Sequence, residues 1–138
     1  MPRVHHVGIT CADFDRSLRF YVEGLGLGSP YLWNAPPLIE RAAFIPADDG
    51  TWIEIFGGGR PREGEVPGRD AAGHSHVAIA VEDVQAAFER IVAAGAVAFE
   101  EPVTRTLHGD PPIQATMAFV AGPDGEVIEL YRNDDLPR

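Results

Sequence analysis

The chain repeats itself, and an internal repeat restricts the possible folds more than any local pattern within it. His6-Val7-Gly8-Ile9 corresponds to His76-Val77-Ala78-Ile79, and Asp13 to Asp83, at a displacement of 70 positions. At a displacement of 75, residues 43–56 align without a gap on residues 118–131. The second match shares Ala43 with Ala118, Phe44 with Phe119, Asp49 with Asp124, Gly50 with Gly125, Ile53 with Ile128 and Glu54 with Glu129. A fold built twice from one plan is therefore expected.

The elements of that plan follow from periodicity. Residues 4–10 read as a strand, with Val4, His6, Gly8 and Thr10 on one face. Asp13 is placed to cap a helix whose apolar positions are Phe14, Leu18, Tyr21 and Val22, and Gly24 and Gly26 end it. Residues 29–38, with Pro30, Pro36 and Pro37 around Tyr31 and Trp33, predict a loop or a sheet edge. Two strands, 42–46 and 51–56, join through Ala47-Asp48-Asp49-Gly50, whose Asp-Gly is a hairpin signal. The second copy repeats the helix more clearly: Asp83 caps it, Val84, Ala87, Phe88, Ile91 and Val92 form its apolar face, and Gly95 closes it. The stretch 100–114, with Pro102, Pro111 and Pro112, differs most from its counterpart and reads as a substrate-specific loop. These elements predict an α+β fold of two tandem β-α-β-β-β modules that form a curved mixed sheet. The modules are residues 4–56 and 74–131 of one domain, joined by a glycine- and proline-rich linker, 57–73.

Each module opens on a strand histidine, His6 or His76, and closes on a strand glutamate, Glu54 or Glu129. Strand alternation sets Glu54 beside Trp52 and Phe56, and Glu129 beside Val127 and Tyr131. An ionised carboxylate among large apolar side chains is expensive unless a cation compensates it. Two imidazoles and two carboxylates at equivalent repeat positions make a ligand set for a first-row divalent ion. Mixed nitrogen and oxygen donors suit Ni, Co, Mn, Fe or Zn without selecting one, and octahedral positions remain for a substrate's two oxygens.

The motifs around these residues are specific. His6-Val-Gly-Ile with Asp13, Arg16-Ser17, Phe20-Tyr21 and Leu25-Gly26, then Ile53-Glu54-Ile55, His76-Val-Ala-Ile with Val81-Glu82-Asp83, and Gly122-Pro123-Asp124-Gly125 before Ile128-Glu129-Leu130, resemble the vicinal oxygen chelate superfamily. That family includes glyoxalase, bleomycin-resistance proteins and extradiol dioxygenases, and the resemblance runs from about Val4 to Tyr131. It implies that His6, Glu54, His76 and Glu129 are the four metal ligands and that the protein is a homodimer. It also implies that Glu129, with Glu54 as the second candidate, is the base of a metal-dependent isomerase, epimerase or lyase. The substrate would be a small molecule with adjacent oxygens. Ile55-Phe56-Gly57-Gly58-Gly59 after Glu54 departs from the asparagine-containing segment of glutathione-dependent members, which argues against a glutathione thiohemiacetal. The same family offers two alternatives: an extradiol-type dioxygenase needing two histidines and one carboxylate, and a metal-free, bleomycin-resistance-like binding protein.

Charge narrows the partners. Eleven basic against 21 acidic residues, a formal charge of −10, argue against nucleic acid and anionic membrane surfaces as partners. A single cysteine, Cys11, excludes an internal disulfide framework and reads as a small buried residue. No apolar run approaches a bilayer span and the first residues lack a signal-peptide core, so a cytoplasmic protein is expected. His5 is expected to point away from His6 toward solvent, and His74 to sit at the entrance of the strand that bears His76. Arg105 and His108 are candidates for contacting an anionic substrate, and Trp33 and Trp52 for lining a pocket.

Overall fold

A computed structural model of the chain describes residues 2–47, 50–61 and 72–134. Two compact units divide it, Met1–Glu65 and Val66–Arg138. The first holds β1 (His6–Thr10), α1 (Phe14–Arg19), β2 (Tyr31–Ala35), β3 (Ile39–Pro46) and β4 (Trp52–Phe56). The second holds β5 (Val77–Ala80), α2 (Val84–Ala93), β6 (Val97–Leu107), β7 (Ile113–Ala121) and β8 (Val127–Asn133). Each is the expected β-α-β-β-β module. Among the described residues no helix is long and apolar enough to cross a membrane.

Each unit holds one four-stranded mixed sheet, ordered β1-β4-β3-β2 in the first and β5-β8-β7-β6 in the second. In each, the first strand of the module pairs parallel with the last, and the remaining pairs are antiparallel. The strand bearing the glutamate therefore has a neighbour on both sides. That position explains why β4 and β8 carry apolar side chains on both faces. Ile53 and Ile55, like Ile128 and Leu130, point to the helix side and are buried with Ile45, Ala43, Val120 and Ala118.

The helices are set by their caps. Asp13 Oδ1 and Asp83 Oδ1 each accept the backbone N–H three residues on, Arg16 and Ala86, at 2.9 Å. The first helix continues as a π-helical turn, Phe20–Gly24, that buries Phe20 and Tyr21. In α2, Val84, Ala87 and Ile91 are buried and lie against the sheet. The hairpins that precede β4 and β8 also match. Gly50 and Gly125 have φ of 82° and 80°, the left-handed region that glycine enters without a Cβ clash. Ala47 N–H donates to Thr51 O at 2.9 Å and Gly122 N–H to Glu126 O at 2.8 Å. Asp48, Asp49 and residues 62–71 of the linker lie outside the described residues.

One of the two alternatives for residues 29–38, a sheet edge, is what forms: β2 is the edge strand and its prolines lie just outside it. A second stretch needs amendment. Residues 100–107 are not a loop: they complete β6, paired with β7 from Val97↔Ala121 to Leu107↔Ile113. The register shifts on either side of Glu100, and a shift of this kind on an edge strand accommodates Pro102, which has no N–H to offer the ladder. Only residues 108–112 connect the two strands.

One surface cluster ties α1 to β3. Arg41 bonds both oxygens of Asp15, at 2.7 and 3.0 Å, and its guanidinium lies 4.4 Å from the centre of the Phe14 ring. The hydrogen bond from Arg41 holds the Asp15 carboxyl below the ordinary aspartate range, and the carboxylate raises the guanidinium in turn. Because the folded-state value is depressed, the pair's contribution is complete above the unfolded aspartate value, about 4, and disappears as pH falls through the folded value. Thermal unfolding as a function of pH should therefore show Asp15→Asn less stable than the parent near neutrality, with the two curves converging in acid. Parallel curves would mean that the ion pair contributes nothing.

Candidate metal centre

The two glutamates are buried on the sheet faces opposite the helices. Glu54 is 7% exposed and Glu129 8%, which for a carboxylate demands a partner. Each has one. His6 Nε2 lies 3.2 Å from Glu54 Oε2, and His76 Nε2 lies 2.9 Å from Glu129 Oε2. The histidines themselves are more open, with side chains 42% and 34% exposed, so each pair presents one nitrogen and one oxygen at the edge of an apolar surface.

The strand register makes the pairs alike. His6 is opposite Trp52 on the parallel neighbour, two positions from Glu54, and His76 immediately precedes Val77, which is opposite Ile128 beside Glu129. On the antiparallel side Phe44 faces Glu54 and Phe119 faces Glu129. Each phenylalanine then meets its histidine edge-on, at ring separations of 5.7 and 5.5 Å. An imidazole, a carboxylate and a phenyl ring thus recur in one arrangement in both units.

The surroundings differ. In the first unit the face around Glu54 is aromatic: Trp33 stacks on Phe44 at 5.6 Å, and Phe56 and Trp52 meet this pair edge-on. Trp33 Nε1 is buried and has no hydrogen-bond partner among the described residues. In the second unit Ala115, Met117 and Phe119 form the face, with Val103, Val127 and Tyr131 against them. Arg105, on β6 opposite Ala115, is ion-paired with Glu100. His108 lies in the exposed connection after β6, His74 is exposed ahead of β5, and Cys11 is fully buried as expected.

The donors fit a divalent ion. Two ligands adjacent on one ion, with bonds of about 2.1 Å, lie about 3 Å apart, and both Nε2–Oε2 distances match that spacing. Among the described residues no group of three or more His, Cys, Asp or Glu side chains is assembled, so each unit by itself supplies a pair. Sequence reasoning missed His5 and Ser75. The expectation that His5 points away from His6 is incorrect: it precedes β1, where strand alternation does not yet apply, and its Nδ1 lies 3.0 Å from His6 Nδ1. Ser75 Oγ lies 2.8 Å from His76 Nδ1. The signal was available, since position 5 maps onto position 75 in the repeat.

If the buried carboxylates serve a ligand and not the fold, replacing them with an apolar side chain of similar length should not destabilise the metal-free chain. Glu54→Met and Glu129→Met are expected to unfold at or above the parent's temperature when measured in chelator. A fall of several degrees in both would make the carboxylates structural.

Comparison with known proteins agrees with the architecture. The description of the glyoxalase/bleomycin resistance protein/dioxygenase superfamily matches residues 3–130. The chain is 29% identical over 137 residues to a probable lactoylglutathione lyase of Vibrio cholerae, covering 95% of this chain and 91% of that protein. It is also 29% identical over 137 residues to a lactoylglutathione lyase of Haemophilus influenzae, covering 95% and 93%. Glyoxalase I of Zea mays superposes with a TM-score of 0.72 at 25% identity, over 98% of this chain and 46% of the maize chain. With the repeat, the strand order and a family match over nearly its whole length, the chain belongs to the glyoxalase/bleomycin resistance protein/dioxygenase superfamily.

Proposed function

We propose that the protein is a metal-dependent isomerase, epimerase or lyase of the glyoxalase type, acting on a small molecule with two adjacent oxygens. The observation that carries this reading is the duplicated pair: His6 with Glu54 and His76 with Glu129, each spaced as two ligands of one ion. The four residues would act as one ligand set, with the two modules brought together within a chain or between the chains of a homodimer. The names of the Vibrio and Haemophilus relatives support lyase chemistry. A bound divalent ion, Ni, Co, Mn, Fe or Zn, would supply Lewis-acid stabilisation of negative charge on the substrate's oxygens.

The chain's own residues then have distinct tasks. Glu129 takes a proton from the carbon next to the oxygens and returns it, with Glu54 as the second candidate for this role. Glu129 is 8% exposed beside Phe119, Val127 and Tyr131, so its carboxylate meets few waters yet can still trade its proton with solvent between transfers. His6 and His76 hold the glutamates and complete the nitrogen half of the ligand set.

The test is carbon–hydrogen exchange in deuterated water, followed by NMR for a panel of 2-hydroxyaldehydes, 2-hydroxyketones and 2-hydroxyacyl thioesters. At least one should exchange in the metal-loaded protein, and Glu129→Gln should slow it by about 100-fold or more while the fold is kept. Exchange at the parental rate in Glu129→Gln would remove Glu129 from the mechanism. Oxygen uptake with catechols in the iron-loaded protein, without exchange on any panel member, would replace proton transfer with ring cleavage.

A further inference from the structure

Behind each ligand histidine stands a second partner, and both partners come from the same place in the repeat. His5 Nδ1 is 3.0 Å from His6 Nδ1, and Ser75 Oγ is 2.8 Å from His76 Nδ1. Their side chains are chemically unlike. They share one property: a neutral imidazole and a hydroxyl can each donate or accept a hydrogen bond at the same position, according to how the proton is placed.

That property matters because Nε2 has two tasks. In a neutral ring, an Nε2–H that donates to Glu54 or Glu129 leaves the lone pair on Nδ1, within reach of a hydrogen bond from His5 Nδ1–H or the Ser75 hydroxyl. As a metal ligand, Nε2 must offer a lone pair, so the proton sits on Nδ1 and is donated to His5 Nδ1 or Ser75 Oγ. A carboxylate or backbone carbonyl behind the ring would accept only, and would favour one of these tautomers. We infer that His5 and Ser75 are positioning residues that hold His6 and His76 in both tautomers, letting Nε2 change from hydrogen-bond donor to metal ligand without loss of the bond at Nδ1. The proton count balances: Nε2 releases a proton to water, Nδ1 takes one from His5 Nδ1 or Ser75 Oγ, and water returns one to His5 Nε2 or to the Ser75 oxygen. The inference rests on the ligand set proposed above.

Its test uses the full chain and its Ser75→Ala, His5→Ala and Ser75→Thr variants. Affinity for Zn²⁺ and Co²⁺ is measured by competition with a chromophoric chelator, and ¹⁵N shifts of the ring nitrogens are recorded without metal. Both alanine variants should bind about 10–100-fold more weakly, and Ser75→Thr should bind as the parent does. The metal-free parent should show His76 protonated at Nε2, and Ser75→Ala should show a mixture of tautomers. Unchanged affinity in both alanine variants overturns the inference and leaves the ligand set intact. A loss of affinity that threonine does not restore, with ring shifts unmoved, marks local packing and also overturns it. A parent protein that binds neither ion, and none of Ni, Mn or Fe when each is tried in turn, overturns the ligand set, and this inference with it.

Discussion

A carboxylate in the middle of an apolar strand is the constraint from which the rest of each module can be understood. Glu54 and Glu129 lie on central strands among apolar side chains and are almost fully buried, so each carboxylate needs a partner at hand. That partner is a histidine at the start of the parallel neighbour or just before it, which places the histidine at the beginning of the module and the glutamate at the end. A parallel pairing of first and last strands needs a long crossover, and α1 with β2 and β3, or α2 with β6 and β7, supplies it. The helix covers one sheet face with aliphatic packing and leaves the other for the His–Glu pair.

Duplication gives each unit the same His–Glu pair and permits the two to diverge around it. The histidine, glutamate and edge-on phenylalanine are kept. Beyond them the first unit has an aromatic surface of Trp33, Phe44, Trp52 and Phe56, whereas the second has Ala115, Met117, Val103 and the Arg105–Glu100 ion pair.

Much of this was legible in the sequence because it depends on local rules. The caps at Asp13 and Asp83, the glycines of positive φ at 50 and 125 and the strand alternation around both glutamates are each short-range, and each is found as expected. What was illegible depends on partners distant in sequence. Residues 100–107 carry a proline and no clean alternation, and they become a strand because β7 offers them a complete ladder; the irregularity is absorbed at register shifts that no local pattern announces. His5 was misread for a related reason. Alternation assigns faces only within a strand, and β1 begins one residue after it.

The claim on which the functional account depends is that His6, Glu54, His76 and Glu129 serve one ion, and elemental analysis of the purified protein tests it most directly. Metal content would be measured after loading and dialysis, for the parent and for alanine substitutions at His6 and Glu129, one from each unit. The account predicts about one divalent ion per chain in the parent and its loss in both variants. Retention in either variant would contradict a shared four-residue site, and a parent that takes up none of Ni, Co, Mn, Fe or Zn would contradict metal-dependent chemistry.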